Sequence, residues 1–509
     1  MNNRKRISGW VAFCVAAIFI AGCIPEDSLQ WSDDGSVGLL GIQEALYLVN
    51  GKTGELTEIA KQNVQPWPAI TRDGTLIAYS QAVECSSLSQ GLKQLPPGQV
   101  KIIESYAEQI KNNVLKAGGL TNNEFPFPDE CIMTPENYSN WPIRYLCENA
   151  EPDLLKVLPD EAIKKGKEMA IGYFQLVVVP VKALQEKRTL TTSLFKMIGL
   201  KFSPNKKHLA YLMHTQEGET SNSFEEDALY IASLENDVKA MLVNHRVAAG
   251  YDWRADGRAI AYIRADSDNL RNDDVILGML EEVIVDDANG NLQAEPIANS
   301  EQGSVWTHRC TGQSSSSAGM LFYPWQKVQY GLDNRIFFSS SVLSLPTSIR
   351  DEPKWSLFCY DPVTGTVADV LGLNVSNYTS QTMTMLQFAL SPDGKGVLLP
   401  IEKNRFIRYE LGTDNVTIPV EENKGFGEEE ISAFLPSWKG SSEMSFLVSE
   451  NSHFLIKAKE PGDKPARKEI VVLDRTGKDS RILSESWPDE IMEGFKADQS
   501  SGTLPIPPF

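Results

Sequence analysis

Four aspartates, Asp34, Asp73, Asp256 and Asp393, stand directly before the glycines Gly35, Gly74, Gly257 and Gly394. Recurrent carboxylates are the donors a hard cation such as calcium takes. An Asp-Gly pair between apolar runs has a second use: the carboxylate bonds the following backbone and glycine accepts positive φ, so the chain reverses. That use needs no ligand and explains the spacing, so these residues are assigned to repeated structural turns. The five histidines are His208, His214, His245, His308 and His453. His208 and His214 share strand parity, but six residues at about 3.3 Å each hold them roughly 20 Å apart, too far for one metal ion. No H-E-x-x-H, Walker loop, G-x-G-x-x-G or G-x-S-x-G occurs. No catalytic, cofactor-binding or metal residue is assigned, and no cofactor is expected. Arg408, Arg264 and Lys403 are possible lining residues of a central channel. Trp31, Trp253 and Trp438 sit at strand positions that suit packing between sheets better than stacking on a sugar.

Seven cysteines are present. No C-x-x-C or Cys/His spacing suggests zinc or redox chemistry. Cys131 and Cys147 flank part of a helical stretch, and a bridge closing that loop would contribute about 3 kcal/mol by chain entropy. Cys85 competes for either partner, and Cys310 and Cys359 form a further candidate pair. At the N-terminus, Arg4-Lys5-Arg6 precede an apolar run, Ile7 to Ile20, that ends in Ile20-Ala21-Gly22-Cys23. The run has signal-peptide length and is short for a membrane span. Charge, length and the terminal Cys resemble the lipobox of a bacterial lipoprotein. That resemblance implies cleavage before Cys23 and its modification by acyl chains of the palmitate kind. The following residue is Ile24 rather than Asp, which by the same resemblance favours the outer membrane, facing the periplasm. Two or more acyl chains hold a protein stably on a bilayer. Ile24 to Asp27 then form a tether of roughly 15 to 20 Å at full extension.

The elements that must position these residues follow one grammar: an apolar strand, a tight turn, an apolar strand. It is clearest at Phe388-Ala389-Leu390-Ser391-Pro392-Asp393-Gly394. It returns at Trp31-Ser32-Asp33-Asp34-Gly35, Ile70-Thr71-Arg72-Asp73-Gly74, Phe202-Ser203-Pro204-Asn205 and Trp253-Arg254-Ala255-Asp256-Gly257, and more weakly at Tyr330-Gly331-Leu332-Asp333-Asn334 and Ser437-Trp438-Lys439-Gly440. With insertions set aside the period is about 40 to 50 residues, the length of four short strands. The expected architecture is all-β: a seven-bladed β-propeller of four-stranded antiparallel blades over 28–483. One helical insertion, about 85–170, interrupts the second blade, where Val100, Ile103, Tyr106, Ile110 and Val114 recur at helical spacing and Pro142, Pro152 and Pro159 are expected to break helices. Thr311 to Gly319 reads as a mobile Ser/Gly-rich loop, and 484–509 as an extended tail.

The Ser-Pro-Asp-Gly copies resemble the TolB-type, WD40-like propeller repeat over about Ser28 to Leu483, a resemblance of architecture rather than of function. Prolyl-oligopeptidase relatives join a similar propeller to a hydrolase domain, for which the residues after Leu483 are too few. The formal charge of −19 becomes about −22 without the first 22 residues, a balance that repels phosphate backbones, so no nucleic-acid partner is expected. These readings together imply a lipid-anchored envelope module that binds a protein or envelope polymer. The alternatives are a lyase or hydrolase with its site in the channel, or a carbohydrate or small-ligand sensor.

Overall fold

The repeated turn is a small hydrogen-bonded unit. In its first copy Ser32 N–H donates to Val37 O (2.9 Å) and Gly35 N–H to Ser32 O (2.8 Å). The Ser32 hydroxyl donates to Asp34 Oδ1 at 2.6 Å and accepts from Val37 N at 3.1 Å. Asp34 Oδ1 also accepts from Ser36 N at 3.0 Å, and Gly35 takes φ +69°. Ser391, Asp393 and Gly394 repeat the set. So do Thr71, Asp73 and Gly74, and Ser203 and Asn205, where Lys206 takes the left-handed position at φ 58°. The hydroxyl is both donor and acceptor in each, which is why the position is Ser or Thr.

The computed structural model describes residues 28–120 (43 apart), 124–126, 136–214, 227–235, 240–245, 247–265, 276–285, 292–295, 318–322, 327–344, 355–370, 388–402, 405–412, 416–417, 431–450, 468–474, 480–485, 487–488 and 491. Each turn joins the first two strands of an antiparallel group of four. The first group is β1 (Ser28–Trp31), β2 (Val37–Ile42), β3 (Ala45–Asn50) and β4 (Leu56–Ala60). The next is β5 (Ala69–Ile70), β6 (Leu76–Cys85), β7 (Ile171–Pro180) and β8 (Arg188–Ser193), followed by β9 (Met197–Phe202), β10 (His208–His214), β11 (Asp227–Ser233) and β12 (Met241–Asn244). Then come β13 (Val247–Trp253), β14 (Ala259–Ala265), β15 (Ile276–Val285) and β16 (Leu292–Glu295). A separate strand, β17 (Ala318–Phe322), pairs with β15 and with β19, and so fuses this group to β18 (Val328–Tyr330), β19 (Ile336–Ser344), β20 (Trp355–Asp361) and β21 (Thr366–Asp369) in one nine-stranded sheet. The last two sheets are β22 (Ala389–Leu390), β23 (Gly396–Glu402), β24 (Arg405–Glu410) and β25 (Val416–Thr417), and β26 (Ile431–Lys439), β27 (Glu443–Glu450), β28 (Lys468–Asp474) and β29 (Ser480–Ile482).

Strands such as Ile336-Phe337-Phe338 are apolar without alternation because both faces are covered. Ile336 and Phe338 pack with Ala261 and Leu280 of the preceding group, whereas Phe337 packs with Phe388 and Val397 of the following one. Shared clusters join β1–β4 to β5–β8, β5–β8 to β9–β12, and β9–β12 to β13–β16 in the same way. The last group returns to the first: Leu29, Trp31 and Leu40 pack with Ile470, Val472 and Leu483. Leading strands touch in the same order, β1 with β5, β5 with β9, β9 with β13, β13 with β18, and β26 with both β22 and β1; between β18 and β22 the Gln329 side chain accepts from Leu390 N. Sheets stacked face to face in a closed circuit, leading strands innermost, make a β-propeller.

Between β6 and β7 run α1 (Leu88–Gln94), α2 (Pro97–Ala117), α3 (Glu136–Glu148), α4 (Pro152–Leu155) and α5 (Asp160–Glu168). Ile103, Ile110 and Val114 of α2 are buried, the first against the sheets and the others against α3 to α5. Pro152 and Pro159 start helices, as expected of a residue without an N–H. Pro142 does not break one, because it lies inside α3. Fully buried Trp141 beside it donates Nε1–H to Gly172 O (2.9 Å) and ties that helix to β7. No helix among the described residues is long and apolar enough to cross a membrane.

Two other expectations need correction. Ala318 and Gly319 are not loop but the start of β17, because β15 and β19 extend far enough to offer it hydrogen-bonding edges; 311–317 lie outside the described residues. The segment after Leu483 is not simply extended. Trp487 is buried and donates to Gly54 O (2.6 Å), against the first sheet.

Candidate functional site

In an antiparallel meander the connections from first to second and from third to fourth strand leave one end of each sheet, and the others leave the opposite end. At the Asp-Gly end the connections are uniformly short, the longest being 181–187 and 234–240. The intervals between strands that meet the other end include the helices (86–170) and 215–226, 266–275, 296–317 ahead of β17, 345–354, 370–388, 418–430 and 451–467. Chain length is thus spent on one rim of the circuit, the usual place for recognition on a rigid scaffold.

Four of the leading strands bring a polar residue to the axis at the same position, two before the residue that opens the turn: Gln30, Lys201, Asp252 and Gln329. These residues reach sideways to the next sheet. Gln30 Nε2 donates to Pro68 O at 2.7 Å. Lys201 Nζ donates to Tyr251 O and lies 3.4 Å from Asp252 Oδ1. Asp252 Oδ2 accepts from Tyr330 N at 2.9 Å, and Gln329 Oε1 accepts from Leu390 N at 3.1 Å. Two residues before Gln329, just ahead of β18 and nearer the long-connection rim, stands Lys327. Its ammonium lies 5.7 Å from the centre of the Phe388 ring. Burial, the neighbouring Lys201 charge and, in the opposing sense, Asp252 bring the Lys327 pKa down to about 8. Although crowded, its side chain is only half-buried.

A second polar group lies between sheets. Arg254 Nη1 is 3.4 Å from Glu282 Oε1, which also accepts from the Tyr330 hydroxyl. Burial first, then Glu282, push the Tyr330 phenol far above its ordinary range. These partners satisfy one another across buried surface, the arrangement of a structural contact.

The residues singled out in sequence fall into distinct roles. Asp34, Asp73, Asp256 and Asp393 each commit Oδ1 to their own turn, and Gly35, Gly74, Gly257 and Gly394 all have positive φ. Among the described residues no group of three or more His, Cys, Asp or Glu could hold a metal ion. Trp253 Nε1–H donates back to Lys201 O (3.0 Å) and Trp438 Nε1–H to Ala389 O (2.8 Å), each on the preceding sheet; Trp31 donates to Ser445 Oγ (2.8 Å) across the closure. All three indoles are buried. His208 is buried and stacks on Trp253 with ring centres 6.0 Å apart. Arg408 is not at the channel wall: it sits on β24, the third strand of its sheet, buried and paired with Glu410. Arg264 belongs to β14, a second strand, and Lys403 lies outside the described residues.

Cys85, Cys147 and Cys359 are buried free thiols. Cys85 and Cys147 belong to two different apolar clusters. Burial pushes the Cys147 and Cys359 thiols up to about 11, so neither is poised as a nucleophile. Cys131, Cys310 and Cys23, with its preceding segment, lie outside the described residues. The sequence reading missed Lys327, Gln329, Lys201 and Asp252. Their available signal was a polar residue interrupting an apolar leading strand at a fixed distance from the turn.

No family model matches the chain, and no curated protein matches it. Among solved structures it is similar to the β-propeller domain of the Trilobed protease from Pyrococcus furiosus, at 9% identity and a TM-score of 0.42, covering 90% of this chain and 95% of that one. It is similar to a protein described as TolB from Agrobacterium tumefaciens, at 10% identity and a TM-score of 0.33, covering 59% and 84%. A third is oligogalacturonate lyase from Vibrio parahaemolyticus, at 9% identity and a TM-score of 0.36, covering 72% of each chain.

Proposed function

We propose that this chain is a lipid-anchored, seven-bladed propeller of the TolB-like kind that binds a protein or envelope polymer close to a membrane. Each strand group opened by the repeated turn is read as one blade, the groups joined through β17 counting as two, and the helices as an insertion in the second. The observation that carries the binding role is the one-sided placement of the helices and other long connections, opposite the uniform Asp-Gly turns. Cys23 is the proposed acylation site, and the outer membrane, on its periplasmic side, the proposed address, both on the lipobox resemblance. A second reading, a channel enzyme of the lyase or hydrolase type, draws on the gathering of Lys201, Asp252 and Lys327 at the axis. Recovery of a channel ligand unaltered after prolonged incubation would favour binding over that reading.

Two measurements test the proposal. Replacing Cys23→Ser should move the protein from the membrane to the soluble fraction, and continued membrane retention would remove the anchor. Affinity capture from membranes with 86–170 replaced by a short turn should lose the partner recovered by the intact chain. Unchanged recovery would remove the helical segment from the docking face.

A further inference from the structure

Beside Lys327, the charges that the described residues bring to the axis do not balance. Asp252 is fully engaged, one oxygen near the Lys201 ammonium and the other on Tyr330 N–H. Lys201, Lys327 and Asp252 together carry one net positive charge, inside a chain whose formal charge is −19. Among the described residues Lys327 has no carboxylate of its own. Its ammonium lies over the Phe388 ring, which attracts a cation but offers no oxygen to accept from its three N–H donors. Gln329 adds a directional element. Its Oε1 faces a backbone N–H of Leu390, a fixed donor, so its amide nitrogen points away, and that nitrogen has no partner among the described residues. Lys327 immediately precedes β18 and Gln329 lies within it, two residues on, roughly 7 Å along the chain.

We propose that Lys327 and Gln329 bind a carboxylate at the channel wall, on the side of the long-connection rim, with Lys201 supplying the second positive charge. A carboxylate fits better than phosphate because one negative charge matches the net charge of the group. Two oxygens in one plane can accept from an ammonium and an amide at once. The site is independent of whether the helical segment docks a partner, since none of its residues belongs to 86–170.

The test uses the full-length chain with its lysines reductively methylated with carbon-13 formaldehyde, and propionate as the probe at constant ionic strength. Propionate should raise the Lys327 titration midpoint from its low starting value, because a bound anion favours the charged form. Propionamide should leave it unchanged. K327Q should weaken propionate binding, read by calorimetry on unmethylated protein, at least about tenfold, the scale of one lost charge-assisted bond. K327R should retain most of the binding, and Q329L should weaken it less than K327Q. Equal shifts with chloride at the same ionic strength, equal binding by K327Q, or tighter binding of inorganic phosphate than of propionate would each overturn the assignment. The first two would leave Lys327 as a residue whose ammonium only rests over the Phe388 ring.

Discussion

The Ser or Thr hydroxyl that opens four of the turns, at Ser32, Thr71, Ser203 and Ser391, is small but holds two partners. Replacing Ser391→Ala strips Gly396 N–H of its acceptor and Asp393 of a hydroxyl donor. A buried unsatisfied group costs about 1–3 kcal/mol, so chemical denaturation should show a loss of that size, whereas Ser391→Thr should be tolerated because Thr71 plays the part in another turn. Acid should weaken these turns together. The Ser32 hydroxyl, then the Ser36 N–H and hydroxyl, hold the Asp34 carboxyl below its ordinary value of 3.8. The unfolded chain therefore takes up its proton first, and stability present above the ordinary carboxylate range drains as pH falls through the folded value. Asp34→Asn keeps an acceptor oxygen but cannot titrate. Its denaturation midpoint should fall less steeply than that of the wild type below about pH 4, and parallel curves would assign the acid sensitivity elsewhere. The turn residues were readable from sequence because their partners lie within five positions. Lys327 and Lys201 were not, because their electrostatic neighbours belong to other sheets.

At the scale of the element, strand identity followed from apolar runs bounded by turn residues, and the two-sided burial explains why those runs do not alternate. Sequence periodicity also located the helices between β6 and β7. It could not show that Pro142 would be housed within α3, since that depends on Trp141, whose indole is fully buried and bonded to Gly172 O. Gly91 fits against the same ring, where a Cβ would overlap it. Trp141 thus couples α1 and α3 to β7, whereas the cluster of Ile110, Val114, Ile143 and Leu158 holds the helices to one another. Trp141→Ala should cost about 3–5 kcal/mol, the usual range for emptying a buried aromatic site. Hydrogen exchange should accelerate through α1 to α5 and leave β9 to β12 protected. Equal acceleration in helices and sheets would mean that the helical segment and the circuit open as one cooperative unit.

At the scale of the whole molecule, the circuit closes without exchange of a strand: β1–β4 come from the beginning of the described chain and β26–β29 from its end, each sheet complete in itself. Backbone pairing between chain ends would have secured the seam by ladder bonds. Here side chains do so. Trp31 crosses to Ser445, Lys439 lies over the Trp31 ring at 5.5 Å, and Arg481 reaches Lys52 O and Glu443. Trp487 covers the outside of the seam, packed with Leu483 and bonded to Gly54 O. A sequence repeat cannot reveal this, because it describes what each sheet shares, and the seam is made by residues such as Trp487 that lie beyond the repeat. Trp487→Ala should therefore cost about 3–5 kcal/mol at one place in the circuit. Hydrogen exchange should rise first in β1 to β4 and β26 to β29, while Trp253→Phe, which removes one inter-sheet bond of about 1–3 kcal/mol, should loosen β9 to β16 instead. If Trp487→Ala lowered protection evenly around the circuit, the sheets would share a single opening event, and the seam would be no weaker than any other junction.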